Sequence, residues 1–303
     1  MIDIIFMGTP DYAQKILQRL IEEPGFNVIS VYTQPDKPVG RKKVITAPEV
    51  KVLAQEHNID IYQPNRLREE ESVKTVLLQK CDFIIVAAYG QILPKEILDH
   101  APCINLHASI LPQYRGASPI QQAIFNGDKR TGVTAMLMDV GLDTGDILKI
   151  SEINIDNDEM VSILFERLTE CASELTIEVI KDFDTFIPKK QDDNCATHCK
   201  KISKKDGLVT FDDALSIYNK YRAYTPWPGI YLESQLKLKK ISLVDSEKSN
   251  ECGKILEIKK DGIVVGCLKG SLLIQSVQPL SKKEMKIADY LNGKRLELNN
   301  ILS

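Results

Sequence analysis

The sequence predicts an α/β chain in which a doubly wound parallel sheet is followed by a smaller β-barrel, and three observations predict it. Apolar strand-like runs alternate with helical periodicity through the first part of the chain, the pattern of βα units around a parallel sheet. The periodicity stops over residues 188–205, a stretch rich in Asp, Asn and Lys. Beyond it short strand patterns recur between Gly and Asp residues, the spacing of a small barrel.

Each element can be justified in order. Residues 2–7 form a near-continuous apolar run ending in Gly8, and Pro10 suits the first turn of a helix whose Ala13, Ile16, Leu17, Leu20 and Ile21 share a face. Residues 28–32 read as a second strand, 50–57 as a helix opened by Pro48, and 83–88 as a strand buried on both faces. A short strand over 103–107, a helix over 119–125 and strands over 132–138 and 147–155 follow. Residues 160–183 make a long amphipathic helix, with Ile163, Leu164, Leu168, Leu175, Val179 and Ile180 available for one buried stripe. The expected organisation is an α/β domain over 1–188, an exposed linker over 189–206 and a barrel domain over 207–303. The last contains a helix near 215–224 and strands over 230–233, 254–258, 263–267 and 272–277. In fold-class terms the first domain is Rossmann-like and the second OB-like.

Composition narrows the function classes. With 303 residues, 43% hydrophobic and 27% charged, a disordered or fibrous chain is excluded. The longest apolar run, 83–94, contains Tyr89 and Gln91 and falls short of the roughly 20 residues a spanning helix needs, so no membrane partner is expected. The opening Met1-Ile2-Asp3 lacks a cationic signal region, which points to the cytoplasm. Seven scattered cysteines imply no disulfide framework. Cys195, His198 and Cys199 crowd three potential ligands into five residues with no second pair, so no metal is expected. Net charge is −3, yet residues 200–303 carry 19 Lys and Arg against 12 Asp and Glu. Such a basic tail suits an anionic partner, or merely a solvated lysine surface.

Three stretches carry candidate chemistry. The first βα turn, Gly8-Thr9-Pro10-Asp11-Tyr12, has one glycine where a dinucleotide fingerprint has three; the helix N-terminus there either receives an anion or carbonyl or is a structural turn. Asn105 and His107 alternate onto one face of their strand, at the C-terminal end where open α/β sheets bind ligands. An amide and a titrating imidazole aimed at one point suit oxyanion stabilisation in acyl transfer, or else form a satisfied polar pair. Gly141-Leu142-Asp143-Thr144-Gly145-Asp146 lies between two strands, its glycines permitting a tight loop that returns Asp143 toward the sheet. A carboxylate there would hold the tautomer of His107, although such a loop can also be only a turn. No serine or cysteine sits in a nucleophile elbow, which suggests direct attack by a substrate nucleophile.

Asn105-x-His107 with Ser109-Ile110-Leu111-Pro112, then Tyr114-Arg115-Gly116-Ala117-Ser118-Pro119 and Gly141 through Asp146, resembles the folate-dependent formyltransferases. Phe6-Met7-Gly8-Thr9-Pro10-Asp11, the basic loop from Gln34 to Lys43, and Arg222-Ala223-Tyr224-Thr225-Pro226-Trp227-Pro228-Gly229 are similar to the branch acting on initiator tRNA. The resemblance covers nearly the whole chain, thinning after residue 230. It implies transfer of a formyl group from 10-formyltetrahydrofolate to the α-amino group of methionyl initiator tRNA by a monomeric cytoplasmic enzyme without metal. Asn105 and His107 would hold the oxyanion, and Asp143 would orient His107 as acid toward the departing folate nitrogen. Ser109, Ile110, Leu111 and Pro112 would line the folate pocket with backbone from 88–93 and 140–143. Arg41, Lys42 and Lys43 would contact tRNA. From its basic charge the barrel would bind tRNA phosphates, with Trp227, boxed between Pro226 and Pro228, packed at the domain junction. Two departures stand out: Ile110 replaces a family leucine, a volume-conserving change, and His198 replaces a family tyrosine, which leaves Cys195 and Cys199 incidental. Four other readings stay open. They are a formyltransferase for a small amine such as an amino sugar or ribonucleotide, a formyltetrahydrofolate hydrolase, a tRNA-binding module without activity, and an NAD-linked oxidoreductase that the missing glycines disfavour.

Overall fold

Burial of alternate apolar runs dictates the first sheet. The computed structural model describes residues 1–40 and 42–302, and it opens with β1 (Ile2–Gly8), α1 (Asp11–Glu22) and β2 (Phe26–Tyr32). Ile4, Ile5, Phe6 and Met7 are wholly buried, as are Ala13, Ile16, Leu17 and Leu20 on the matching face of α1. Next come β3 (Lys37–Val39), β4 (Val44–Thr46), α2 (Glu49–Glu56), β5 (Asp60–Tyr62), α3 (Glu70–Leu77), β6 (Phe83–Ala87), α4 (Lys95–Leu98) and β7 (Cys103–His107). They lead to β8 (Arg115–Gly116), α5 (Pro119–Asn126), β9 (Arg130–Leu137), β10 (Ile147–Asn154) and α6 (Val161–Lys181).

The strand order is β10-β9-β7-β6-β1-β2-β5. Strands β7, β6, β1, β2 and β5 pair in parallel, as the alternating pattern predicts. At the other edge β9 runs antiparallel to β7, and β10 runs antiparallel to β9 because a loop and not a crossover joins them. The basic stretch read as a loop is instead a hairpin, pairing Lys37 with Thr46 and Val39 with Val44. Lys42 and Lys43 lie exposed at its turn; Arg41 lies outside the described residues. Ile163 is 50% exposed and leaves the expected stripe of α6, which buries Leu164, Leu168, Ala172, Leu175, Val179 and Ile180.

After β11 (His198–Cys199) and α7 (Ala214–Tyr224), an antiparallel sheet is built from β12 (Ile230–Tyr231), β13 (Lys237–Asp245), β14 (Ile255–Lys259), β15 (Gly262–Gly266), β16 (Ser271–Gln278) and β17 (Met285–Lys286), followed by α8 (Ile287–Lys294). Its order is β12-β13-β16-β15-β14, with β17 on β16. Leu238, Ile241, Ile255, Ile263, Val265, Leu272, Ile274 and Val277 share one core with Ile217, Tyr218, Ile287 and Leu291 from the two helices. The long strand β13 escapes sequence reading because its register shifts between Leu238 and Lys240 and again before Ile241, and each bulge breaks the period of two.

The chain divides into two compact units, neither contiguous: Met1–Pro119, Arg130–Asn154 and Phe165–Cys199 form one, while Ile120–Lys129, Ile155–Leu164 and Lys200–Ser303 form the other. Helix α7 explains the second grouping. Tyr224 stacks on Phe125, the Tyr218 hydroxyl donates to Asp158 at 3.0 Å, and buried Arg222 donates to the Glu159 carbonyl at 3.0 Å. Trp227, expected to be packed away, is 61% exposed. Its prolines cannot donate hydrogen bonds to tie the segment down. Among the described residues no helix is long and apolar enough to cross a membrane.

In the first βα turn a Cβ built on Gly8 would stand 2.6 Å from Ala13 Cβ and 3.0 Å from the Ala87 carbonyl oxygen, so glycine is there for close packing of strand against helix. Gly8→Ala should lower stability by about 1–3 kcal/mol, the range for overpacking, measured as a fall in the urea midpoint. An unchanged midpoint would show that the turn has slack.

Candidate active site

Strand β7 lies between β6 and β9 in the first unit and ends at His107. Alternation turns Asn105 and His107 to the same face, with Met136 directly across from Asn105 and Thr134 across from His107 on β9. His107 is almost fully buried. Asn105 is partly exposed, and its side-chain amide makes no hydrogen bond to any described residue. A polar amide left unpartnered and solvent-accessible beside an imidazole is available to a ligand.

Because β9 runs antiparallel, its last residues lie beside the start of β7, with Leu137 opposite Ile104. The loop 138–146 must fold back to reach His107, and it does: Asp143 Oδ1 lies 3.7 Å from His107 Nδ1. At that distance the pair is not hydrogen-bonded. The ring is oriented instead by the Tyr114 carbonyl, 2.9 Å from Nε2. A carbonyl only accepts, so Nε2 carries the proton and Nδ1 is the nitrogen facing Asp143. The Tyr114 carbonyl thus holds one ring nitrogen, and the Asp143 carboxylate stands beside the other.

Asp143 is itself held by the Gly116 N–H, which donates to Oδ2 at 2.8 Å. Gly116 has φ +118, and a Cβ there would stand 2.2 Å from the Cys199 carbonyl oxygen. Ala88, Tyr114 and Asp143 also have positive φ, at 46°, 59° and 55°. Each such non-glycine residue costs about 1–3 kcal/mol and persists only where its surroundings over-determine it. All three lie in the loops after β6, β7 and β9.

The surroundings come largely from 191–199, the stretch read as an exposed linker. Strand β11 pairs with β8 in parallel. The Thr197 hydroxyl accepts from Tyr114 N at 2.8 Å, and its carbonyl accepts from Arg115 N at 2.9 Å. Cys199 is buried and its thiol donates to the Tyr114 carbonyl; burial first, then the Asp143 charge, push that thiol up and keep it protonated. Cys199 is therefore part of the site's frame and not incidental, while Cys195 and His198 are exposed. Gln191 and Arg115 are buried against each other. No periodic signal marks these residues in the sequence. Among the described residues no group of three or more His, Cys, Asp or Glu is placed to hold a metal ion.

Of the expected folate-pocket residues, Ser109 and Leu111 are buried. The Ser109 hydroxyl donates to the Gln113 carbonyl at 2.6 Å, and Thr134 Oγ1 bridges the Ser109 carbonyl and the Leu111 N–H at 2.6 and 3.1 Å. Those two side chains shape the turn, whereas Ile110 and Pro112 are partly exposed. The loop after β6 is pinned at the Tyr89 carbonyl by Thr9 Oγ1 and Gln34 Nε2, both at 3.1 Å. Ile92, Val140 and Leu142 are exposed apolar side chains on the loops after β6 and β9. The arrangement offers a free amide, an imidazole with one open nitrogen, a nearby carboxylate and apolar loop surface, a set suited to acyl transfer to an incoming nucleophile.

Comparison with known proteins gives the family. The family model for formyl transferase matches residues 2–180, and that for formyl transferase, C-terminal domain matches residues 201–295. Methionyl-tRNA formyltransferase of Sulfurimonas denitrificans is 62% identical over 300 residues, 99% of each chain, and that of a Nitratiruptor species is 57% identical over 299 residues, 98% of each. Among solved structures, an N-formyltransferase from Helicobacter canadensis in complex with folinic acid and dTDP-3-aminofucose superposes with a TM-score of 0.69 at 17% identity, over 91% of this chain and 99% of that one; at that identity the likeness is one of fold. With both of its domain models matched in order and full-length relatives far above 30% identity, the chain belongs to the formyl transferase family.

Proposed function

We propose that the chain transfers the formyl group of 10-formyltetrahydrofolate to the α-amino group of methionine on initiator tRNA, for translation initiation. The observation that carries this reading is the 62% identity to a methionyl-tRNA formyltransferase over 99% of each chain, since it extends through the C-terminal domain that surrounds no catalytic strand.

The residues divide the chemistry as follows. The attacking α-amine has an ordinary pKa of about 7.7–8.0, so a neutral fraction is present near neutrality and no strong base is needed. As its nitrogen bonds to the formyl carbon, the carbonyl electron pair moves to oxygen, where the free Asn105 amide donates. His107 Nδ1 accepts the proton the amine loses, because Nε2–H is engaged by the Tyr114 carbonyl. The ring is then cationic, and the Asp143 carboxylate at 3.7 Å balances it. When the carbon–nitrogen bond to folate breaks, the same proton passes to the folate nitrogen, leaving the formylated amine, tetrahydrofolate and neutral His107. Backbone of 109–112, with the side chains of Ile110, Pro112, Ile92, Val140 and Leu142, lines the pterin. Lys42 and Lys43 on the hairpin turn, with Arg41, and the basic residues of 200–303 meet tRNA phosphates.

Mass analysis of charged tRNA after incubation with the formyl donor tests the reading: initiator methionyl-tRNA should gain one formyl group. Formylation of a dTDP-amino sugar instead, or release of free formate without transfer, would overturn it. Alanine at Asn105, His107 or Asp143 should each lower kcat by roughly 10²-fold or more, non-additively in combination, with circular dichroism unchanged. A His107→Ala enzyme with near-normal turnover at saturation would remove the proton carrier.

Replacing both Lys42 and Lys43 by Ala should raise KM for tRNA, spare KM for folate, and flatten the salt dependence of tRNA binding by about 0.7–0.9 log units per lost phosphate contact. Equal loss on both substrates would indicate a folding defect. The exposure of Trp227 brings base stacking back as a second contact mode. Trp227→Ala should weaken tRNA binding by the roughly 1–3 kcal/mol of one stacked base while leaving the salt slope intact; unchanged affinity would return this domain's role to phosphates alone.

A further inference from the structure

We propose that Gln191 is a positioning residue that clamps the loop carrying Asp143 and so sets the distance from Asp143 to His107. The proposal rests on the reading of Asp143 given above. Gln191 belongs to no strand or helix, yet it is 6% exposed. Its Oε1 accepts from Arg115 Nε at 3.1 Å and from Arg115 Nη2 at 2.8 Å. Its Nε2 donates to the Asp143 carbonyl at 2.9 Å and to the Gly145 carbonyl at 2.8 Å. An amide offers two donors and two lone pairs, and all four are used. The orientation is also unambiguous, because a flipped amide would set its NH2 against a guanidinium and its oxygen against two carbonyls.

Buried Arg115 also reaches Asp193 Oδ1 at 2.9 Å, and its own backbone is paired to β11. It therefore holds the Gln191 oxygen from a fixed position. The two carbonyls on the far side bracket Thr144, directly after the residue with φ +55. Asp143 is thus gripped twice, at its backbone by Gln191 and at its carboxylate by Gly116 N–H. Without the Gln191 donors, two carbonyl groups lose their partners and nothing at the backbone opposes relaxation of Asp143 out of the left-handed region. The carboxylate then leaves Nδ1. Gln191 makes no hydrogen bond to Asn105 or His107; it reaches the site through the Asp143 loop, which it bonds directly, and through Arg115, whose neighbours Tyr114 and Gly116 contact His107 and Asp143, and coupling to Asp143 separates the two routes.

Gln191→Glu is the discriminating substitution. It keeps the shape and gives Arg115 a stronger acceptor, so the frame stays paired, but it turns an oxygen toward the two loop carbonyls. The variant should fold with native circular dichroism and retain KM for initiator methionyl-tRNA, while kcat falls by about 10- to 100-fold, the scale of a misplacement near 1 Å. Gln191→Ala, read by the same criteria, covers the case in which Gln191→Glu does not fold. Coupling supplies the second readout: Gln191→Glu combined with Asp143→Asn should be no slower than Asp143→Asn alone. Multiplied losses in the double variant, or KM rising for both substrates, would mean a merely structural role and overturn the proposal. Wild-type kcat in Gln191→Glu while Asp143→Asn is slow would overturn the clamp and leave Asp143 its role; wild-type kcat in Asp143→Asn would overturn both.

Discussion

Irregular backbone at the end of a sheet must find partners for its N–H and C=O groups or lose the stabilisation of the sheet that presents it, and the site depends on how residues 112–117 and 141–146 do so. Neither segment can pair with a neighbouring strand over its full length. The partners come from 191–199, through the short β11–β8 ladder, Thr197 and Gln191. Once those bonds exist, the Tyr114 carbonyl points at His107 and the Gly116 N–H at Asp143 without further adjustment. Strand β7 supplies two side chains of the candidate site, but a segment distant in sequence aims the groups that contact them.

That division explains what could be read in the sequence. Parallel strands buried on both faces write themselves as apolar runs, so β1, β6 and β7 were legible, and with them the shared face of Asn105 and His107. The glycines of 141–146 announced a loop, and the motif order announced the family. What the residues could not announce were contacts between irregular segments. Gln191 sits in Lys189-Lys190-Gln191-Asp192-Asp193, whose composition reads as solvated linker, and only the fold brings it against Arg115. Secondary elements were missed for related reasons: the hairpin 37–46 places Val39, Val44 and Ile45 on exposed surface, where no burial pattern exists to detect, and β13 loses its alternation at its bulges.

The second unit shows the same limit at domain scale. Its core is an ordinary antiparallel one, but segments 120–129 and 155–164 belong to it through Phe125, Asp158 and Glu159. A linear reading can only cut a chain at one place between domains. Here α7 gathers two excursions by a stacked ring and hydrogen bonds from a tyrosine and a buried arginine, contacts that leave no periodic trace.

The proposed set of Asn105, His107 and Asp143 would by itself be indifferent to which amine it serves. An amide donor, an imidazole and a carboxylate would assist transfer to any neutral amine that reached the formyl carbon. Discrimination therefore has to come from surface away from β7. Contacts to phosphates position a nucleic acid without reading it, so basic residues alone would favour any RNA of the right shape. Selection of one tRNA requires groups that meet bases or a distinctive geometry of the acceptor end, and these must act before the amine reaches Asn105. On the proposed assignment, chemistry and specificity in this chain would thus lie on separate residues, the first set by the frame around His107 and the second by surfaces that contribute nothing to the reaction coordinate.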